Sequence, residues 1–421
     1  MAPGCARRNL LGVWVVAALA VVGACSGDIG ADDELLIVRD VPVAGVTVTD
    51  VFATPGAVDD PVVVMLHGTE GERSSMEPLA RAVAAGGSVV FVPQWPVIDQ
   101  VAPYPASDGE PYRQQVEAVV CSLRFARRRA ASFGGRPEDL TVLGQSGGAM
   151  AGGRVALVDP LPWPDVACDP DTSHVPQRLI GLSGDYAGAN QYGVALPEIY
   201  APYDLLRLDP TNSTLEVRLV HGFDDRAVDY LSAWRFDRRL VEAGLDSRLI
   251  AADTGHSDLR DPMTPGGRFV VDQVDALLHG RTSAYDEEPR HGSLTAGPAA
   301  CRYEGPTSVP RSDVLRIELH NQRPELVWFS LVGLRDASAT VADLERAEPG
   351  SFGARTGMLD FGGFQPVAPV DVGHLDWVFL DAAHPWVAYC MSDPPPAMSH
   401  PSTRFWNAEV MEPASILVAA D

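Results

Sequence analysis

The chain has 421 residues and no lysine; all 32 of its basic residues are arginine. That absence excludes a Schiff-base lysine, a Ser–Lys dyad and the lysine of a phosphate-binding loop. Histidine is left as the natural general base. Positive charge is also scarce, with 56 acidic residues against those 32 and a net charge of −24. A polyanion repels phosphate backbones, so nucleic acid is not expected as a partner. Cysteine is sparse too: six residues, with no Cys-x-x-Cys and no Cys/His cluster of the kind that holds zinc. No metal and no cofactor is expected. The uncharged, largely apolar run Leu10–Ala24 has 15 residues, fewer than the about 20 a membrane-crossing helix needs.

That run reads instead as an export signal. Arg7 and Arg8 precede it, and Val22-Gly23-Ala24-Cys25 closes it with small residues before a cysteine. The closing residues resemble the bacterial lipobox. The resemblance implies a signal peptide over 1–24, lipidation of Cys25, a polar tether over 25–34 and anchorage to the outer face of a bacterial cytoplasmic membrane. The alternative is simple cleavage after Ala24 and a soluble secreted protein. Cys5 leaves with the signal, so Cys121, Cys168, Cys301 and Cys390 remain beside Cys25. Four cysteines in an exported chain suggest two disulfides, with three possible pairings. Cys121–Cys168 with Cys301–Cys390 keeps each bridge inside one expected domain.

Apolar runs at 61–66, 88–93, 140–144, 178–183, 216–221 and 246–251 alternate with helix-like stretches near 74–85, 112–132, 147–157, 229–243 and 268–279. Continuous apolar strands separated by helices indicate an α/β domain over 35–280, a mostly parallel sheet covered on both faces. The alternating segment 35–52 suits an antiparallel pair at the sheet edge. Residues 281–298, rich in Ser, Gly, Pro and charge, read as a linker. Beyond it, short strand-like runs at 314–319, 326–332, 375–380 and 386–390 suggest a small all-β sandwich over 299–421, with one helical stretch near 339–347.

Gly144-Gln145-Ser146-Gly147-Gly148 lies directly after a strand and directly before a helix rich in small residues. A serine on so sharp a turn is held in a strained backbone with its hydroxyl exposed, and small neighbours let the turn close. Ser146 is the candidate nucleophile. His67-Gly68-Thr69-Glu70-Gly71 ends an earlier strand. The N–H of Gly147 and one from Thr69 or Glu70 would form an oxyanion hole. His67 and His221 are expected to be turn residues. Asp225 and His256 each follow a later strand, where catalytic groups gather in such sheets. Asp225 would orient His256, and His256 would take the Ser146 proton. Asp224 competes for the acid role; Asp258 is expected to be a solvated neighbour.

With these residues in hand, segment 55–280 resembles the α/β-hydrolase superfamily. It is most similar to the branch of dienelactone hydrolases, acetyl-xylan and feruloyl esterases and prolyl-oligopeptidase-like enzymes. His67-Gly68, Gly144 to Gly148, Leu182-Ser183-Gly184-Asp185-Tyr186, His221-Gly222 with Asp225, and Gly255-His256 carry the resemblance. It implies an esterase acting through acyl-Ser146 on a small-molecule or polymer-linked ester. The alternatives are a serine peptidase of the prolyl-oligopeptidase-like type and a non-catalytic binding lipoprotein on the same fold. Two departures narrow the branch. The oxyanion segment is not His-Gly-Gly-Gly, and the elbow carries serine where dienelactone hydrolases usually carry cysteine. Glu70, Gln145, Trp95 and Tyr186 are candidate pocket residues, and Glu70 would disfavour anionic substrates. The insert 186–214, with Tyr186, Tyr192, Tyr200 and Tyr203, is a candidate cap. Segment 299–419 faintly resembles cupredoxin-like domains, but Leu326-Val327-Trp328-Phe329 stands where a first copper-binding histidine is expected, which implies an accessory domain without copper. Every catalytic motif lies before residue 280, so the C-terminal part is expected to be dispensable for chemistry.

The export expectation has a direct test. Mass spectrometry of the mature chain should find a lipid-modified Cys25 at its N-terminus, and Cys25→Ala should release the protein from the membrane fraction or block processing. An unmodified residue 25 leaves a soluble exported protein.

Overall fold

The computed structural model describes residues 35–44, 47–69, 71–96, 110–158, 166, 168–186, 204–223, 225, 227–228, 230–286, 289–310, 313–334, 358–367, 371–378, 386–391 and 411–420. The signal, Cys25 and the tether lie outside them, as do Glu70, Asp224, the stretch 339–347 and residues 187–203 of the expected cap.

The N-terminal edge pair forms as β1 (Leu36–Val43) and β2 (Thr47–Ala53), antiparallel. There follow β3 (Asp60–Leu66), α1 (Glu77–Ala85), β4 (Val89–Gln94), α2 (Glu110–Arg129), β5 (Gly135–Gln145), α3 (Gly147–Leu157), β6 (Arg178–Leu182), β7 (Glu216–Gly222), α4 (Tyr230–Glu242), β8 (Asp246–Ala252) and α5 (Pro265–His279). In space these strands run β1-β2-β4-β3-β5-β6-β7-β8. β2 is antiparallel to β4, and from β4 to β8 every neighbour is parallel. This is the α/β-hydrolase order.

The two-sided burial follows from the strand sequences. In β3, Val62, Val64 and Leu66 face one core, which includes Val116, Val119 and Leu123 of α2, Val155 of α3 and Phe236 of α4. Val63 and Met65 alternate into the other, with Leu79 and Val83 of α1 and Phe269, Val270 and Val274 of α5. The spacing in α1 and α5 puts one apolar stripe on each helix, against the sheet. Full burial of such a side chain stabilises by about 1.5–3 kcal/mol. The three arginines in the last turn of α2 complement the helix dipole. Arg124 and Arg127 also donate to the Cys168 and Val175 carbonyls. The Cys121–Cys168 disulfide, with Cα atoms 5.5 Å apart, ties the same helix to the same segment.

The division at 281–298 needs correction. Residues 290–296 of the expected linker form a strand, β9 (Arg290–Ala296). It is followed by β10 (Cys301–Glu304), β11 (Ser308–Pro310), β12 (Val314–Asn321), β13 (Val327–Leu334), β14 (Met358–Val367), β15 (Val372–Val378), β16 (Trp386–Met391) and β17 (Met411–Ala420). β15, β12, β9 and β10 extend the main sheet beyond β8 to twelve strands among the described residues. β11-β17-β16-β13-β14 form a second, mostly antiparallel sheet. Leu315, Ile317, Leu319 and Trp377 of the first sheet and Val327, Phe329, Leu331 and Ala388 of the second share one core with the helices. The Cys301–Cys390 disulfide joins β10 to β16 across the two sheets. β9 was hidden because its sequence, Arg-His-Gly-Ser-Leu-Thr-Ala, has few strand-forming residues; its pairing with β12 is a tertiary effect.

The junction is intimate. β15 pairs in parallel with β8, Asp376 to Ile250 and Val378 to Ala252. Arg248 Nε donates to Asp376 Oδ2 at 2.6 Å, and Phe223 meets Trp377 edge-on at 4.1 Å between ring centroids. The C-terminal part therefore covers an edge that a sheet ending at β8 would leave open. Trp377→Ala should cost about 3–5 kcal/mol in chemical denaturation. A chain ended after residue 290 should lose soluble yield because the β8 edge is exposed. Wild-type stability in both would show that the two parts fold separately.

Candidate active site

The site lies at the carboxyl ends of β3, β5, β7 and β8, where parallel strands hand over to loops. Ser146 sits between β5 and α3 with φ 54° and ψ −123°, a left-handed backbone rare for a residue with a Cβ. Its N–H donates to the Leu182 carbonyl at 2.9 Å, tying the turn to β6. The flanking glycines are steric requirements. A Cβ at Gly144 would overlap the Gly148 carbonyl, and one at Gly148 would lie 2.5 Å from the Leu66 and His67 carbonyl oxygens.

The end of β3 abuts this turn. A Cβ at Gly68 would lie 3.1 Å from Ser146 Cβ, and one at Gly147 would lie 3.4 Å from the Thr69 nitrogen. The Thr69 and Gly147 backbones are therefore neighbours beside the serine. Gly147 opens α3, and the first N–H groups of a helix have no partner within it. These are the positions an oxyanion hole requires.

His256 and Asp225 meet directly, His256 Nδ1 to Asp225 Oδ2 at 2.7 Å. The other carboxylate oxygen, Oδ1, accepts the N–H groups of Ala227 at 2.8 Å and Val228 at 2.9 Å. Burial alone pushes the Asp225 carboxyl up. The His256 hydrogen bond, the adjacent His221 and His256 charges and the Val228 N–H outweigh it and hold the group below the ordinary carboxylate range. His256 keeps a partly exposed ring, with 20% of its side chain accessible.

Several residues have duties the sequence did not disclose. His221 is buried behind the acid, its Nε2 3.1 Å from the Val228 carbonyl and 3.5 Å from Asp225 Oδ2. It thus holds the acid loop; the His-x-x-x-Asp spacing was the available signal. Asp258 is not a solvated neighbour. Its Oδ2 accepts the Gly255 N–H at 3.0 Å and the Thr254 hydroxyl at 3.3 Å, closing the turn that presents His256. The pocket assignments also change. Trp95 is fully buried and donates from Nε1 to the His67 carbonyl at 3.1 Å. Tyr186 is fully buried, stacked on Phe236 at 4.3 Å. Gln145 is buried and donates to the His256 carbonyl at 3.4 Å, a strut between the Ser146 and His256 loops. All three are buried and have almost no surface open to a pocket. Glu70 falls outside the described residues. Among the described residues no group of three or more His, Cys, Asp or Glu is arranged to hold a metal ion.

The depressed Asp225 fixes a sign. Its ionised form stabilises the fold above the ordinary carboxylate value of about 4, and that contribution is lost as the pH falls through its lower folded value. The gap in melting temperature between wild type and Asp225→Asn should therefore shrink as the pH falls from about 5 to about 3. Asp225→Asn should also lower kcat by about 10⁴-fold, and Asp224→Asn far less. The reverse ranking would move the acid role to Asp224.

No protein-family model matches the chain, and no curated protein matches it. Among solved structures it is similar to the thermophilic esterase Est2 of the planctomycete Thermogutta terrifontis with propionate bound. That pair is 15% identical with a TM-score of 0.45, over 59% of this chain and 94% of that one. It is also similar to a truncated carbohydrate esterase from gut microbiota, 13% identical with a TM-score of 0.46, over 59% of this chain and 98% of that one. A third is Thermogutta terrifontis esterase 2 phosphorylated by paraoxon, 15% identical with a TM-score of 0.46, over 59% and 94% of the two chains.

Proposed function

We propose that this chain is a serine hydrolase that cleaves carboxylic esters through an acyl-Ser146 intermediate. The observation that carries the reading is the 2.7 Å bond between His256 Nδ1 and the buried Asp225 carboxylate. A carboxylate only accepts, so the imidazole proton is on Nδ1 and Nε2 is left as the base. Nε2 takes the Ser146 proton as Oγ adds to the ester carbonyl carbon. The carbonyl π pair moves onto oxygen, facing the Thr69 and Gly147 N–H groups. Collapse of this intermediate expels the alcohol, which leaves with the proton from His256. Water then repeats the sequence on the acyl-enzyme and releases the acid.

The same triad cleaves amides, so a peptidase is the nearest rival, and substrate preference separates the two. A non-catalytic scaffold has no need of a serine held at positive φ. We further propose that the enzyme works outside the cytoplasm, anchored through Cys25, on small or polymer-linked esters. The two disulfides support an oxidising compartment.

Ser146→Ala should abolish p-nitrophenyl ester hydrolysis and stoichiometric labelling by a fluorophosphonate, with an unchanged melting curve. Retained turnover in that variant sinks the assignment. A panel of p-nitrophenyl esters, acetylated sugars and aminoacyl anilides should give turnover on the esters; activity confined to the anilides would make it a peptidase.

A further inference from the structure

Below the oxyanion segment runs a chain of hydrogen bonds that fixes the direction of one catalytic N–H. The Arg73 N–H donates to Gln94 Oε1 at 3.0 Å. The Gln94 side-chain amide is thereby oriented, and its NH2 faces His67 Nε2 at 3.2 Å. An amide NH2 only donates, so His67 Nε2 must accept, and the ring proton must be on Nδ1. Nδ1 lies 2.9 Å from the Gly68 carbonyl, which only accepts, so the two ends of the ring agree. His67 is fully buried, and burial lowers its pKa, which keeps the ring neutral. The Trp95 indole pins the His67 carbonyl from the other side.

The consequence lies in one peptide plane. The Gly68 C=O and the Thr69 N–H belong to the same planar trans peptide and point in opposite directions. A donor that holds the carbonyl therefore aims the N–H. The Gly71 N–H also donates to the Gly68 carbonyl, at 3.1 Å, so the plane is held by two donors. Hydrogen bonding at the carbonyl further polarises the N–H on the far side.

We propose that Gln94 and His67 are positioning residues for the oxyanion hole: Gln94 selects the His67 tautomer, and His67 aims the Thr69 N–H at the developing oxyanion. The proposal rests on the hydrolase reading above. His67 is fully buried and has no surface to offer a substrate. Their contribution is realised at the tetrahedral stage, so it falls on kcat and leaves KM nearly unchanged.

Side-chain replacement separates aiming from packing. The amide nitrogen of Asn at 67 takes the place of Nδ1, while that of Gln reaches toward the place of Nε2. His67→Asn should keep kcat on p-nitrophenyl acetate within about fivefold, while His67→Gln, the closer match in volume, should lose about 10- to 100-fold, toward the effect of a missing oxyanion donor. Gln94→Leu should lose about tenfold or less, since the Gly71 donor remains. KM should stay within about twofold throughout, and binding of a trifluoromethyl ketone, which mimics the tetrahedral stage, should weaken in step with kcat. Wild-type protein labelled with ¹⁵N-histidine should show His67 protonated on Nδ1, a measurement that needs no variant to fold. A His67 proton on Nε2, equal kcat in His67→Asn and His67→Gln, or losses confined to KM would each overturn the proposal while leaving the triad intact. Wild-type protein that neither labels with a fluorophosphonate nor turns over esters would overturn the hydrolase reading, and this proposal with it.

Discussion

The site depends on one backbone conformation, the positive φ of Ser146. A residue with a Cβ is held there only where its surroundings over-determine it, at a cost of about 1–3 kcal/mol. Here they do so from three directions. β6 accepts the serine N–H through Leu182, and the end of β3 packs against the turn with its Leu66 and His67 carbonyls. The glycines at 144 and 148 remove the Cβ atoms that would keep these segments apart. The strain is repaid in geometry, because the same close approach brings the Thr69 backbone beside Gly147. The Ser146 turn and the neighbouring Thr69 and Gly147 backbones are thus set by one packing event.

Asp225 and His256 are placed by a different means. β7 and β8 end side by side, with His221 opposite Ala251 and Gly222 opposite Ala252, so their following loops share one rim of the sheet. Each loop is closed by its own carboxylate: Asp225 caps Ala227 and Val228, and Asp258 caps Gly255. β8 is in turn not an edge, because β15 lies against it and Trp377 packs on Phe223 in the acid loop. The loop that carries His256 therefore follows a strand whose far side the C-terminal part covers.

Much of this was legible in the sequence, and the boundary is physical. Strands buried on both faces announce themselves as continuous apolar runs, so β3 to β8 and their helices fall within a few residues of where pattern puts them. The elbow was legible because its steric demand selects glycine at two fixed positions. Ser146, Asp225 and His256 were legible because each follows a strand. What pattern could not carry was pairing between distant segments. β9 has one strongly apolar residue, Leu294, and exists because β12 holds it. The continuity of β8 with β15 joins residues more than a hundred positions apart. Trp95 and Tyr186 were misplaced for a related reason: an aromatic beside a site looks the same in sequence whether it lines the pocket or supports its floor. Gln94 left no signal, since its function is a hydrogen bond to a ring 27 residues away.

In a chain without lysine histidine is the natural base, and three histidines lie around this site, each with its tautomer imposed by its surroundings. His67 carries its proton on Nδ1, between a carbonyl and an amide NH2. His221 directs Nε2 at the Val228 carbonyl, which only accepts, so its proton is on that nitrogen. His256 carries its proton on Nδ1, toward Asp225. The first two rings are fully buried and serve the loops around them. His256 alone of the three combines a carboxylate behind Nδ1 with a ring open to the site. Each of these buried imidazoles directs its proton at a carbonyl that only accepts, so it cannot give that proton up without breaking a hydrogen bond, at about 1–3 kcal/mol for the group left unsatisfied. In the proposed mechanism His256 Nε2 takes up the Ser146 proton and gives it back while the Nδ1 bond to Asp225 stays made. That asymmetry, rather than the identity of the side chain, separates His256 from the two buried histidines.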